Sequence, residues 1–392
     1  TDAATARATL GVPDASDASE SAKGIAEIAT QGETDAGTDD ARIVTPAKLY
    51  ATPGIYRRNV IINGAMEIVQ RGTSFTGLTN NQFIVDRFGY TKSATISAVH
   101  SGGQEYDAPS GLGLNYCLRV TCTTADTSIG ADEYAGIFYN VEGFDFARFA
   151  GRQAVLSFWV KATKTGTYSI GLRNCNNDRV YIMEYSVTQA NTWEFISKPI
   201  NFDYSGGTWN YTNGRGICIQ WNLACGASYQ TNQLGTWLSS FYLAGSNQVN
   251  ACDNTSNVFK LTGVQLEIGE TATPFEFRSF ADELRLCMRY YEKSAPYGTV
   301  PGSNGDSRVL FQGPIGNTYI NIPFCVRKRA VGGTIKVWST ESPYTVAKAY
   351  DYTGSGETNL SGTAFEGHME LIYSQTATNH VYGCTWSVES EL

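Results

Sequence analysis

The stretch Ile217-Cys-Ile-Gln-Trp-Asn-Leu223 places Ile217, Ile219, Trp221 and Leu223 on one side of an extended chain. Successive side chains of a strand point to opposite faces, so this period of two predicts a strand with one face in a core. The alternation spreads outward in both directions. Leu156, Phe158 and Val160 share a face, as do Tyr168, Ile170 and Leu172; Tyr181, Met183, Tyr185 and Val187 follow, and Leu266 and Ile268 close the series. Lys164-Thr-Gly166 and Ser205-Gly-Gly207 supply turn chemistry between such runs. Many short, half-buried strands bury their apolar faces when two sheets pack face to face. The expectation is a mainly β protein with a jelly-roll-like β-sandwich over 59–275.

The 392 residues suffice for one large domain or for two to three ordinary ones. A body of this size buries roughly three quarters of its extended surface, enough for a core without disulfide or metal. Lys and Arg number 29 against 37 Asp and Glu, a net charge of -8. That balance lacks the basic footprint of a nucleic-acid binder. No run approaches the ~18 apolar residues of a membrane span, and no basic segment leading into an apolar one predicts a secretory leader. Three histidines, His100, His368 and His380, give little support to a zinc or histidine-dependent hydrolytic centre. The one close pairing is His380 with Cys384, and no second pair stands near it.

Charge and aromatic content divide the chain. Residues 1–49 hold nine carboxylates, four basic groups and no aromatic residue, while all 48 aromatics lie from Tyr50 onward. Such a segment builds no core as a monomer. Short helices are expected over 3–10 and 21–30, the second with Ile25 and Ile28 one turn apart. Residues 1–58 therefore form either a thin oligomeric stalk, whose core other copies complete, or a disordered linker. After the sandwich, Ser279 is an N-cap with Asp282 three residues on. Leu284, Cys287, Met288 and Tyr291 then recur at helical spacing, so 276–292 is expected to be a connecting α-helix of about 13 residues. A smaller C-terminal β-sandwich over 293–392 is expected, with strands near 308–312, 319–325, 334–338, 369–373 and 382–388.

Neither a nucleophile elbow, a phosphate loop nor a dinucleotide fingerprint is present. None of the nine cysteines forms a Cys-x-x-Cys pair. Their odd number and wide spacing fit buried small hydrophobes of a chain made in a reducing cytosol. Glu105, Asp107, Asp132, Glu133, Asp145, Glu184 and Asp253 are the scattered carboxylates from which a hydrolytic pair would have to come, and spacing pairs none of them. A different signal lies in residues 201–237. Tyr204, Trp209, Tyr211, Tyr229 and Trp237 sit among Asn, Asp, Gln and Gly in loop-like sequence. Flat rings stack on the C–H faces of sugars and amides match their hydroxyls, so these five are carbohydrate-binding candidates; the plain alternative is that they pack loops over the sheet ends. No cofactor is required, but Asn63, Glu67 and Gln265 are candidate oxygen ligands for calcium.

Several stretches resemble bacteriophage tail-fibre and receptor-binding proteins. Gly24-Ile-Ala-Glu-Ile-Ala through Thr45-Pro-Ala-Lys-Leu49 is similar to a short module near the sugar-binding tips of such fibres, and Thr5-Ala-Arg-Ala-Thr-Leu-Gly-Val12 to a connecting element. Asn59-Val-Ile-Ile-Asn-Gly64, Gln70-Arg-Gly72 and Val85-Asp-Arg-Phe88 resemble the opening of their distal carbohydrate-binding-like sandwich. Val264-Gln-Leu-Glu-Ile-Gly269 and Thr273-Pro-Phe-Glu-Phe-Arg278 resemble its closing strand, and Glu283-Leu-Arg-Leu-Cys-Met-Arg-Tyr-Tyr291 the helix that follows. Ile322-Pro-Phe-Cys-Val-Arg-Lys-Arg329 is similar to a strand and turn with methionine usual where Lys328 stands, and Ser387-Val-Glu-Ser-Glu-Leu392 to the usual ending.

The resemblance implies a homotrimer with its N-terminal side toward the virion, held there by other tail, baseplate or adaptor proteins. It supplies no catalytic residues. The expected function is a non-catalytic tail fibre or short tail spike, made in the host cytoplasm and located in the virion, that binds a bacterial surface polysaccharide during adsorption. No nucleic-acid partner and no membrane insertion are expected. The alternatives are a structural head fibre or decorating protein, and a depolymerase with two convergent carboxylates about 5 Å or about 6.5–9.5 Å apart.

Overall fold

The computed structural model describes residues 26–37, 39, 41–45, 48, 58–202, 206–303, 309–312, 316–340, 346–354, 356–375 and 380–392. The chain divides into two compact units, 1–58 and 59–392.

In the first unit the helix expected over 21–30 does not extend through its described part. Ile28 instead makes an isolated parallel bridge with Ile43, the Ile43 N–H donating to Glu27 O at 2.9 Å. The helix starts later, as α1 (Gln31–Ala36), because Thr30 caps it. Thr30 Oγ1 accepts the Glu33 N–H at 3.3 Å and the Glu33 carboxylate accepts the Thr30 N–H at 2.8 Å, a reciprocal capping box. Gly37, at φ 62, ends it. Arg42 bridges Glu27 at 3.1 Å and Glu33 at 3.3 Å and also pairs with Asp39. The helix expected over 3–10 lies outside the described residues.

The second unit is mainly β. Its first strands are β1 (Ser74–Phe75), β2 (Gln82–Val85), β3 (Phe88–Lys92), β4 (Val99–Glu105), β5 (Cys117–Thr124), β6 (Tyr134–Glu142), β7 (Gln153–Ala162) and β8 (Gly166–Asn174). A short turn of helix, α2 (Gly143–Phe146), separates β6 from β7. There follow β9 (Val180–Val187), β10 (Glu194–Asn201), β11 (Arg215–Cys225), β12 (Gln230–Thr231), β13 (Trp237–Leu238), β14 (Ala244–Gly245) and β15 (Val258–Ile268). One sheet has the order β1-β4-β5-β15-β7-β10 and the other β13-β9-β8-β11-β6-β3-β2. The alternation that predicted these strands also builds their core. Leu156, Phe158 and Val160 of one sheet meet Ile170, Leu172, Ile219 and Trp221 of the other, and the Phe158 ring stands edge-on to Trp221 at 5.8 Å and to Tyr185 at 5.3 Å. Each such side chain contributes about 1.5–3 kcal/mol when fully buried. Seven of the nine cysteines are buried, Cys175 and Cys325 being the exceptions.

Ser279 caps α3 (Phe280–Met288) through the Asp282 N–H at 3.2 Å, as expected. Leu284, Cys287 and Tyr290 pack on Ile62 and Ile68 at the sandwich entrance. The helix is shorter than its spacing predicted. Tyr291 belongs instead to β16 (Tyr291–Lys293), where the chain pairs with a distant strand. The remaining strands are β17 (Val309–Phe311), β18 (Gly316–Pro323), β19 (Thr334–Ser339), β20 (Lys348–Asp351), β21 (Gly356–Ala364), β22 (His368–Gln375) and β23 (Tyr382–Glu389). They form one hydrogen-bonded network in which β23 pairs with β16, β17, β19 and β20. Residues 356–359 of β21 pair with β20 and residues 360–364 with β22. That change of partner bends the network around a second core of Leu360, Leu371, Tyr373, Trp386 and Val388.

A chain of buried charges joins the two cores. Arg87, in the β2–β3 turn and 1% exposed, pairs with Glu391. It also donates to Asn140 O at 2.6 Å and lies 3.4 Å from the centre of the Tyr290 ring. Arg71 pairs with Glu391 at 3.1 Å and with Asp86 at 3.4 Å, over the Tyr291 ring at 3.9 Å. Arg289 holds Glu142 at 2.6 Å, and the Tyr290 hydroxyl donates to the same carboxylate at 2.6 Å. Arg329 donates to backbone oxygens of Asn213, Ser390 and Glu391. Burial raises the Asp86 carboxyl above its ordinary range, with Arg71 opposing. Buried charges cost several kcal/mol each unless they are paired and hydrogen-bonded; the carboxylates of this network all meet a guanidinium, while the Nε atoms of Arg71 and Arg87 are buried without a hydrogen-bond partner among the described residues.

Two outcomes follow for stability. Arg87→Ala leaves the buried Glu391 with Arg71 as its one remaining cation and should lower the free energy of unfolding in urea by about 3 kcal/mol, whereas Arg87→Met with Glu391→Leu, which removes both charges, should lose less. His100 is buried, its Nδ1 2.7 Å from the Tyr90 hydroxyl. Burial, with Lys92 as a lesser cause, lowers its pKa from 6.5 to about 4. An unfolded chain therefore binds the proton first, so stability should fall as pH drops from about 6.5 toward 4. Thermal melts across that window should show a flatter profile for His100→Gln.

Candidate functional site

Trp209, Tyr211 and Trp237 come together at one end of the sandwich. Hydrogen bonding to the β8–β9 turn shapes this end: Asn174 Nδ2 donates to Thr208 O at 2.8 Å and the Thr208 N–H to Asp178 Oδ1 at 3.0 Å. The chain can turn back so closely because Gly216 carries no side chain; a Cβ there would stand 2.5 Å from Phe146 Cβ. Phe146 of α2 is the hub. Trp209 stacks on it at 5.3 Å with an interplanar angle of 16°, and Tyr211 lies parallel at 6.2 Å. Trp237 meets Trp209 edge-on at 5.4 Å and Tyr181 at 5.3 Å.

Both indole N–H groups are spent inside the protein, Trp209 on Gly206 O at 2.9 Å and Trp237 on Asn201 O at 2.7 Å. Trp209 and Trp237 are half-buried, and Tyr211 is 39% exposed. The surface they leave is one of ring edges and faces, bordered by Arg179, which donates to Trp237 O and to Ser239 Oγ. Asp178 lies alongside, its carboxyl held below the ordinary range by the Asn174 amide and the Thr208 N–H. Rings beside fixed polar groups are chemically suited to a sugar's two kinds of surface.

Tyr229 stands elsewhere, edge-on to Tyr134 at 5.6 Å and to Phe241 at 5.5 Å. Tyr204 lies outside the described residues. Phe146, Tyr181 and Arg179 were not among the sequence candidates. Phe146 has no periodic or compositional mark, and only the approach allowed by Gly216 makes it the centre of the cluster.

Two of the three calcium candidates use their side-chain oxygens on the backbone. Asn63 Oδ1 accepts the Ile68 N–H at 2.8 Å and Gln265 Oε1 the Glu276 N–H at 2.8 Å. The local positive charge is a guanidinium: Arg278 pairs with Glu283 at 3.2 Å and donates to Ile61 O at 3.0 Å. Glu67 has its carboxyl raised by burial and then by the neighbouring Glu283. Among the described residues no three His, Cys, Asp or Glu side chains converge as a metal site.

Among the scattered carboxylates, Glu105 and Asp107 share Lys260, and Asp253, Glu184 and Glu133 each have partners of their own. Asp107 takes Lys260 at 2.6 Å, Lys161 at 2.9 Å and the Trp193 N–H at 3.1 Å. Glu105 pairs with Lys260 at 3.1 Å, Asp253 with Lys164 at 2.5 Å, Glu184 accepts from Asn247 Nδ2 at 3.1 Å, and Glu133 accepts the Gly130 N–H at 2.7 Å. Asp145 is raised by burial.

No protein-family model matches the chain, and no curated protein does. Among solved structures, about half of it is similar to several sugar-binding modules. The family 11 carbohydrate-binding module of the Clostridium thermocellum cellulase Lic26A-Cel5E has 13% identity over 50% of this chain and 97% of its own, at a TM-score of 0.28. A putative sugar-binding protein of Bacteroides thetaiotaomicron has 11% identity over 54% of this chain and 100% of its own, at 0.29. At this identity and overlap, what those proteins bind remains a property of theirs.

The cluster depends on the closeness that Gly216 permits. Gly216→Ala should force Phe146 aside at a cost of about 1–3 kcal/mol and alter the near-ultraviolet dichroism of the stacked rings, read against the unaltered chain.

Proposed function

We propose that this chain is a non-catalytic tail fibre or short tail spike of a bacteriophage virion and that it binds a bacterial surface polysaccharide during adsorption. In this reading residues 1–58 are a stalk on the virion side, the two-sheet body is a jelly-roll-like sandwich, and three copies act together. The observation that carries the proposal is the cluster of Trp209, Tyr211 and Trp237, partly exposed and bordered by Arg179 and Asp178. A purely internal packing role would not require Tyr211 to remain 39% exposed. The resemblance of Asn59–Gly64, Val85–Phe88 and 283–291 to fibre proteins supports the same assignment. In the first unit Ile28 and Ile43 are each 54% exposed, and association with other copies is the arrangement that would cover them. Three weak sites on one rigid body raise the affinity for a repeating polymer far above that of each alone.

The test is binding of the purified full chain to host-range cells and to their extracted surface polysaccharide, with mass measured in the same sample. Saturable binding by a trimer, competed by free polysaccharide and weakened about tenfold by Tyr211→Ala or Trp209→Phe, is the expected result. A stable trimer that binds no susceptible strain would instead assign it to a structural part of the particle, and shortening of the polymer would make it a depolymerase. Replacing Ile28 and Ile43 with Asp should shift the mass toward the monomer and lower binding to the polymer more than binding to a single repeat.

A further inference from the structure

A second candidate binding surface lies where the sandwich faces the C-terminal strands. Lys336 of β19 stands opposite Ser387 of β23, and Thr334 opposite Glu389. The period of two therefore turns Val337, Trp386 and Val388 into the C-terminal core and Thr334, Lys336, Trp338, Ser387 and Glu389 to the other face. That face is one wall of a cleft of about 410 Å³, and the sandwich turn carrying Asn80, Asn81 and Gln82 is the other. The volume falls in the ~300–1,000 Å³ range of small-molecule sites, and junctions between folded bodies are where such sites concentrate.

The polar groups of this cleft are biased toward donors. Gln82 Oε1 accepts the Thr79 N–H at 3.0 Å and its hydroxyl at 3.1 Å, so the oxygen end of the amide is committed and the NH2 end is what remains. Asn80 is arranged alike: its Oδ1 accepts from the Thr91 hydroxyl at 3.0 Å and from the Lys92 N–H at 3.1 Å. Neither the Lys336 ammonium nor the Trp338 indole N–H has a hydrogen-bond partner among the described residues. The carboxylate in the cleft, Glu389, lies 3.7 Å from Arg71. Trp338 is half-buried, and the backbone of Gly302 closes on it: a Cβ there would be 2.6 Å from the indole Cδ1, and φ is +75.

A held indole, two amide donors and an ammonium without a counter-ion among the described residues match a ring with an apolar face, several oxygens and a negative charge. We infer that this cleft binds a short acidic saccharide, with a sugar face against Trp338 and its carboxylate at Lys336. The inference rests on the glycan-binding reading above and adds to it a second site and the charge of the sugar.

The experiment is an array of bacterial capsular and lipopolysaccharide oligosaccharides, with uronic-acid and neutral repeats side by side, probed with the full chain. Binding to uronate-bearing oligosaccharides is expected. Lys336→Met and Trp338→Ala should each weaken it tenfold or more at unchanged melting temperature, Lys336→Arg should recover part of it, and reducing the glycan's carboxyl groups to alcohols should mimic Lys336→Met. Uronate binding indifferent to both replacements, or binding confined to neutral glycans, would overturn the inference. If Tyr211→Ala abolishes glycan binding while Lys336→Met and Trp338→Ala leave it untouched, glycan recognition stands and the cleft assignment alone falls. An array on which the unaltered chain binds nothing counts against both.

Discussion

The pairing of Arg87 with Glu391 is the constraint on which the larger unit depends. The two residues are 304 positions apart, and each is nearly free of solvent. An unpaired charge in a core costs far more than a pair returns, so Arg87 depends on Glu391, which Arg71 also reaches. The guanidinium suits the place better than an ammonium would. It is planar and carries five donors in a fixed fork, so it can meet Glu391 and Asn140 O at once while standing over the Tyr290 ring. The pair holds residues 389–391 against the β2–β3 turn of the first sandwich.

From that seating the rest of the unit takes its position. Arg71 reaches the same Glu391, so β23 cannot slide along the sandwich without breaking two ion pairs. Arg289, Arg329 and Asn140 add further bonds along the same seam, Asn140 Nδ2 to Leu392 O at 2.8 Å. β19 is carried by β23, so the spacing between Trp338 and the Asn80–Gln82 turn is set by a charge pair that touches neither. Lys328, where a methionine was expected by resemblance, joins the seam as well, 1% exposed and paired with Glu292. Its burial lowers its pKa, with Glu292 opposing.

The two candidate surfaces differ in how they are held. The aromatic end is a packing device: its indole N–H groups bond within the protein and its rings brace one another, leaving edges and faces outward. The cleft has amide oxygens tied back and donors left over. An apolar platform and a polar receptor are complementary demands of a polysaccharide, whose repeats present both kinds of surface.

Alternation at Ile217–Leu223, Tyr181–Val187 and Leu156–Val160 was enough to place strands, because a period of two is a local consequence of extended backbone and one buried face. Ser279 marked a helix start for the same reason, since a cap acts over three residues. The end of that helix at Met288 was not legible, because Tyr291 is taken by pairing with Ser387–Glu389, and local spacing carries no information about a partner a hundred positions on. Likewise the amide-rich composition of residues 201–237 marked Trp209, Tyr211 and Trp237 but not Phe146 at their centre. Asn63 and Gln265 looked like free oxygens until their backbone partners were known. What the chain by itself determined is thus its strand texture, its caps and its acidic, aromatic-free beginning; only the tertiary structure decided which charges are buried together, which amide ends remain open and where a cleft forms, because those depend on contacts between residues that sequence separation keeps apart.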